Sequence, residues 1–485
     1  PEEMKDQNVV FALEKERRND VYLHLRPAAE EVWRSESSAD TADQQVCLVT
    51  GKTGPVARLH PSVKGVWGAQ SSGAALVSFN LDAFTSYGHE QGDNAPISEA
   101  AAFAYTAALN EFLKRDSDHR IQIGDASVVF WADASDAAKA VEAESLFAAY
   151  VDARTPDAEA AKDIGIKLEQ IRKGVHLKQI EPELAEGVRF HVLALAPNAA
   201  RLSVRFYFED SFGTLTDNYQ AYLKDMEFEP WPRGRNRPTI GACVLRTAPA
   251  RRDPADRISF DREQQSPLLS GELLRAILSG ARFPRSLLPH LLGRIRSDHV
   301  LDSTRVALIK ALIVRDMRLS NKLPESTDGK PKEEYLVRTQ PDDPNPARRL
   351  GRLFAVIERA QLAALGDQIN ATVKDKFLSA AAATPQQVFV GILKNSQNHT
   401  RRLRNGHSDA SWINDAQHAR RVGAALERDI GKLWGSFEEG IPAQHSSEEQ
   451  GFFLVGYYQE RFGGRPDADS GDAPETDNDA TQGEE

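Results

Sequence analysis

The hydrophobic spacing of this chain changes once, near Ser266, and that change limits the folds open to it. Ahead of it the apolar runs are short and β-like. VVFWAD (Val128–Asp133) closes a strand-turn-strand segment that starts at Ile121. Gly187–Ala196 and Ala200–Asp210 meet at Pro-Asn-Ala and read as a hairpin. Helices interrupt these runs. Ser98 N-caps one over Glu99–Arg115, Ala137–Lys173 is helical with a break at Pro156, and Thr216–Met226 is another. Past Ser266 apolar residues recur at helical spacing, as in LLRAIL and VALIKALIV, giving helices over Gly271–Leu278, Pro284–Arg296 and Thr304–Leu319. A polar segment with five prolines, Asn321–Pro346, separates these from four more helices at Ala347–Ala382, Pro385–Arg404, Trp412–Phe437 and Glu448–Phe462. The expected class is α+β: a mixed α/β N-terminal body, then a helical region, then a C-terminal antiparallel four-helix bundle.

Boundaries follow from the same reading. Residues 1–45, with strand-like VVFALE and VYLHLR, read as connecting material. Residues 46–265 are the α/β body, 266–346 the helical region and linker, and 347–465 the bundle. Residues 466–485 form an acidic tail that cannot bury a core and is expected to be disordered.

Charge narrows the function classes. The net charge of −11 over 485 residues is wrong for a nucleic-acid binder only on average. Pro466–Glu485 carries eight acids and no Lys or Arg, which leaves −3 elsewhere. Three segments are locally basic: Trp231–Arg252, Arg275–Arg318 and Lys394–Lys432. Basic footprints on a near-neutral body suit phosphate backbones, and solvated helix faces explain them equally well. Two cysteines, Cys47 and Cys243, give neither a disulfide framework nor a metal-ligand cluster, so no cofactor is expected. No apolar run reaches membrane-span length, and a cytoplasmic location is expected.

One stretch carries the functional signal. Val56–Glu99 is short of charge and rich in Gly, Ser, Asn and Gln. Gly65, Gly68 and Gly73 bracket Gln70, Ser71 and Ser72, and a second polar loop runs from Gly88 to Asn94. Between them ALVSFN (Ala75–Asn80) alternates as a strand does. Amide and hydroxyl tips supply donors and acceptors without net charge, which suits the reading of base edges.

Catalytic patterns fail on inspection. GKTG at Gly51–Gly54 lacks the earlier glycine of a phosphate loop, since Val46 stands there, and reads as a turn. Ala69-Gln-Ser-Ser-Gly73 has Ala where a nucleophile elbow needs Gly. The histidines are scattered, and His60 reads as a structural hydrogen-bonder. No enzymatic activity is expected.

RLHP (Arg58–Pro61), KGVWGAQSSGA (Lys64–Ala74), VSFN (Val77–Asn80), AFTSYG (Ala83–Gly88), QGDNAPISE (Gln91–Glu99) and, downstream, LAPNAARLSVRFY (Leu195–Tyr207) carry a resemblance. In these motifs the chain resembles the large subunit of type I-C CRISPR interference complexes, the Csd-type family, from Cys47 to about Phe462. The resemblance implies more chain ahead of residue 1, so that residues 1–45 are expected to be the end of a truncated N-terminal region. It also implies a bundle like the complex's small subunit and, as a further expectation, separate translation of that bundle from an internal start. The implied partners are a CRISPR RNA, target double-stranded DNA and its displaced single strand. The backbone, guide-handle and small subunits and a recruited helicase-nuclease complete the set, and no membrane is involved. The implied role is to check the short flanking motif of duplex DNA while base pairing reads the target.

Candidate residues follow. Lys64, Gln70, Ser71, Ser72, Gln91 and Asn94 are assigned to DNA near the flanking motif, and Trp67 is either a stacking wedge or a core residue. Arg201 and Arg205, four apart on one strand, either touch phosphates or pair with acids. Arg233, Arg235 and Arg237 in WPRGRNRP either track a phosphate path or belong to a flexible connector. Lys394, Arg401, Arg402 and Arg404 line a track for the displaced strand, or form a solvated helix end favoured by its dipole. Two rival classes remain open: an architectural subunit that never reads DNA, separated by flank-swapped binding assays, and a hydrolase with a dispersed site, separated by metal-dependent cleavage assays.

Overall fold

The computed structural model describes residues 10–15, 22–29, 31–32, 44–152, 160–232, 237–253, 257–325, 334–340, 343–366, 369–438 and 440–463. Contacts divide the chain into two units, one of residues 1–117 with 197–203, the other of 118–196 with 204–485.

The first unit has little regular structure. β1 (Gln44–Val46) and β2 (Thr53–Pro55) pair antiparallel around a turn in which Gly51 takes φ +68°. The GKTG run is thus a hairpin turn followed by a strand, as the missing glycine implied. α1 (Glu99–Phe112) starts where expected, with Ser98 Oγ accepting from the Ala101 N–H at 3.3 Å. The expected strand over Ala75–Asn80 does not form. Ala74 bridges Val63, Ala75 bridges Arg201, and among the described residues no other partner offers a ladder to the rest of the run. VYLHLR is likewise no strand, since Leu23–Leu25 is a turn of 3₁₀ helix.

The second unit opens with β3 (Arg120–Ile123) and β4 (Ala126–Ala134), joined by a tight turn. After α2 (Ala137–Asp152), α3 (Ala160–Arg172) and two short pieces, α4 (Leu177–Ile180) and α5 (Pro182–Glu186), come β5 (Val188–Asn198) and β6 (Arg201–Ser211), whose adjoining ends, 197–203, are counted with the first unit. The sheet order is β3-β4-β5-β6. Its inner face packs Phe130 and Phe190 against Phe147 of α2 and Phe212 of α6 (Phe212–Asp225). α7 (Ile240–Leu245) and a small pair, β7 (Ala250–Arg252) with β8 (Ile258–Phe260), lead to the helices.

α8 (Pro267–Ser279), α9 (Leu287–Asp298) and α10 (Ser303–Leu319) match the expected helices to within a turn. α10 is buried without a break from Ser303 to Arg315, the cations Arg305, Lys310 and Arg315 included. The C-terminal part differs from expectation in one respect. The helix expected over Ala347–Ala382 is two, α11 (Pro346–Leu365) and α12 (Val373–Ala383). Gly366 at φ +74° ends the first, and a Thr372–Asp375 capping box starts the second. α13 (Pro385–Arg404), α14 (Ala416–Gly435) and α15 (Ser447–Gly463) follow, so five helices rather than four make up this region among the described residues.

α11 is the hub, packing on α13, α14 and most closely on α15. That approach depends on two glycines. A Cβ on Gly351 would strike the Phe453 carbonyl, and one on Gly456 the Arg348 carbonyl. α15 is itself buried from Gly451 to Gln459, because α9 and α10 cover the side that α11 leaves.

Candidate nucleic-acid interface

In the first unit the loop 64–73 is closed at its neck. The Val63 and Ala74 backbones exchange two hydrogen bonds, 3.0 and 2.9 Å. Asn110 of α1 braces the same neck, accepting from the Lys64 N–H at 2.7 Å and donating to the Ser62 carbonyl at 3.3 Å. Gly73, at φ +98°, leaves no room for a side chain, because a Cβ would meet that of Ser62 at 2.8 Å. Inside the closed neck the Gly73 N–H donates to the Gln70 carbonyl at 2.9 Å, making a tight turn. Lys64, Gln70, Ser71 and Ser72 all project from it as exposed side chains. A short, pinned loop holds such tips with little entropy left to lose on binding.

Trp67, on the same loop, is 63 % exposed, which removes its reading as a core tryptophan. The second loop is built differently. Gln91–Asn94 is a turn of 3₁₀ helix in which Gln91 takes φ +50°, and the Asn94 side chain donates to the Gln91 carbonyl at 3.1 Å. Both side chains are half-buried, and Asp93 accepts from Gln45 at 3.2 Å. Asn94 therefore already spends one donor on its own turn. Just ahead of them Tyr87, at φ +58°, is 99 % exposed. Sequence reasoning passed over this ring. The signal was an aromatic residue set directly before a glycine in an otherwise polar loop. His60 does act structurally, with Nδ1 2.6 Å from the Tyr105 hydroxyl.

The arginines sort by their partners. Arg201 donates to Asn80 and stacks over the Phe84 ring at 5.3 Å. Arg205 pairs with Asp125 at 2.5 Å. Arg237 lies 4.7 Å over Trp231, and burial pulls its pKa down. Arg233 and Arg235 lie outside the described residues. On α13, Arg402 pairs with Asp409 at 2.7 Å and Arg404 with Glu427 at 2.6 Å, while Lys394 and Arg401 are exposed two turns apart on one face. In the basic segment Arg275–Arg318 the cations divide: Arg305, Lys310 and Arg315 are buried, while Arg275, Arg282, Arg285 and Arg296 are exposed. Arg305 is fully buried, and all five of its N–H donors are taken by Asp298 and the carbonyls of Arg246, Ala248 and Val300. Arg315 pairs with Asp225 at 2.7 Å. Those cations hold the fold rather than a phosphate chain.

Both cysteines are free and buried, and among the described residues no three His, Cys, Asp or Glu side chains cluster as metal ligands. Among those residues no helix is long and apolar enough to cross a membrane.

Residues 1–462 match the family described as CRISPR-associated protein (Cas_Csd1). The chain belongs to this family. Among curated proteins none matches it. Csd1 proteins are the large subunits of type I-C complexes, so this chain is a subunit of a CRISPR assembly and works beside other subunits of it. The α+β class expected from the sequence holds for this Csd1 chain, with its small open sheets and a helical C-terminal region.

Proposed function

We propose that this Csd1 chain is a non-catalytic reader. It inspects the motif flanking the target in duplex DNA, helps open the duplex, stabilises the resulting R-loop and recruits the helicase-nuclease. One observation carries the reading: three uncharged hydrogen-bonding tips, Gln70, Ser71 and Ser72, stand exposed beside Lys64 on a loop closed at its neck. A lysine supplies phosphate attraction, and the uncharged tips discriminate between base edges. Trp67 and Tyr87 offer faces on which an unpaired base can stack. The acid-free helix α13 grips the displaced strand through Lys394 and Arg401.

The test is Gln70→Ala in the assembled complex, measured on duplexes that differ only in the flank. Discrimination between correct and incorrect flanks should shrink by about 1–3 kcal/mol. An equal loss on every flank would remove the reading role and leave a general DNA contact.

A further inference from the structure

α13 runs twenty residues, Pro385 to Arg404, without one Asp or Glu, in a chain whose net charge is −11. Beside it, where α11, α12 and α13 meet, lies a cavity of about 240 Å³. Its floor is apolar, formed by Val373 and Ile392, and one wall is the ring of Phe377, which is 37 % exposed. The remaining surface is hydrogen-bonding but almost uncharged. Asn395 and Asn398 enter from α13, Gln361 of α11 spends its amide oxygen on the Val373 N–H at 2.8 Å, and Lys376 is the only ammonium among the described residues. Among the described residues no carboxylate lines it. The nearby Asp375 is turned onto the N-terminus of α12, accepting from the Thr372 N–H at 2.7 Å and its hydroxyl at 2.9 Å.

The chemistry of the lining selects the ligand. An isolated anion would find one ammonium and no guanidinium among the described residues, and an apolar molecule would have no use for the amides of Asn395 and Asn398. A flat heterocycle with donors and acceptors on its rim and apolar faces matches an aromatic wall, an apolar floor and amide tips together. The volume lies below the ~300–1,000 Å³ of drug-sized sites and suits a single ring system. Lys394 precedes Asn395, and Arg401 lies one turn beyond Asn398, so an exposed cation flanks the amides on either side along α13. His399, also in the lining, has its pKa lowered by burial and by Arg402. The neutral ring keeps both a donor and an acceptor at physiological pH.

We infer that this cavity takes one unstacked base of single-stranded DNA, with Phe377 beneath the base, Asn395 and Asn398 at its edge, and Lys394 and Arg401 on the adjoining phosphates. The inference rests on the proposed grip of α13 on the displaced strand and adds a base-binding site to what is otherwise a phosphate track.

The test measures binding of a single-stranded oligodeoxynucleotide to the full chain by fluorescence anisotropy across a salt series. Phe377→Ala should weaken binding about tenfold, as loss of one stacked base does, with the salt slope unchanged, and Phe377→Trp should restore it. A second arm needs no variant protein. Abasic nucleotides placed at successive positions should reproduce the loss at one position on the parent chain and at none on Phe377→Ala. If Phe377→Ala and Asn398→Ala bind like the parent while Lys394→Gln and Arg401→Gln weaken binding, the strand passes over α13 without entering the cavity. The inference then falls alone. If none of the four substitutions matters, the grip of α13 falls with it.

Discussion

At Lys310 the fold keeps an ammonium group with no exposed surface, donating to the carbonyl of Asp225 at 2.9 Å and reaching that of Lys224 at 3.4 Å. These carbonyls end α6, so the lysine caps the negative end of that helix. Burial pulls its pKa down to about 8, against the opposing pull of Asp225 and Glu227. Because the folded pKa is depressed for a base, the cost of burying the charge is complete below about pH 8. It is released as pH rises from there to the ordinary lysine range, where the unfolded chain still holds the proton. Stability attributable to this group therefore rises with pH across that window, by on the order of 3 kcal/mol. Denaturant unfolding of the parent and Lys310→Met at pH 7 and pH 10 should show that rise only in the parent. Parallel pH dependences would refute it. In the candidate site, Gln70, Ser71 and Ser72 were legible as residues because glycine density and lack of charge are visible in a sequence. That Asn94 spends a donor on Gln91, and that Tyr87 stands fully exposed, were not legible, since both follow from backbone angles.

Among the elements, α13 and α15 show how the same twenty-odd letters become surface or core. α13 has one apolar stripe, Phe389, Ile392 and Leu403, and leaves its basic and amide side outward. Of its cations, Arg402 and Arg404 already have acid partners, so Lys394→Gln and Arg401→Gln should flatten the salt dependence of single-strand binding most. Each should lower the slope by about 0.7, and Arg404→Gln by less. An unchanged slope in the first two would assign them to protein contacts. α15 is apolar on every side and owes its place to close backbone approach. Gly456→Ala pushes a methyl group into the Arg348 carbonyl and should destabilise by about 1–3 kcal/mol, read as a lower melting temperature with the helix content intact. Most helices were legible to within a turn from spacing and caps. The break at Gly366 was missed although Gly366 and the Thr372–Asp375 spacing are both visible in the sequence, because helical spacing on either side was read as one continuous run. The failed strand at Ala75–Asn80 had the right alternation, but a strand also needs a neighbour, which no local pattern supplies.

Across the whole molecule, the C-terminal helices of the second unit are joined to the helices before them through α15. Its two sides meet α11 on one hand and α9 and α10 on the other. Ending the chain after Ser446 should therefore cost the cooperativity of thermal unfolding in this unit, since it uncovers α10 as well as α11. A sharp transition that survives the deletion would mean the bundle packs without it. The sequence alone determined the α+β class, the position of most helices and the family, because periodicity, caps and contiguous motifs are local properties. It also marked the neck-closed loop as uncharged and hydrogen-bonding. Only the tertiary structure decided which cations are available. Arg305, Lys310 and Arg315 read as basic footprint and are interior, while Lys394 and Arg401 face solvent. The physical reason is that a charge is displayed or enclosed according to what packs around its helix, and those neighbours come from distant parts of the chain.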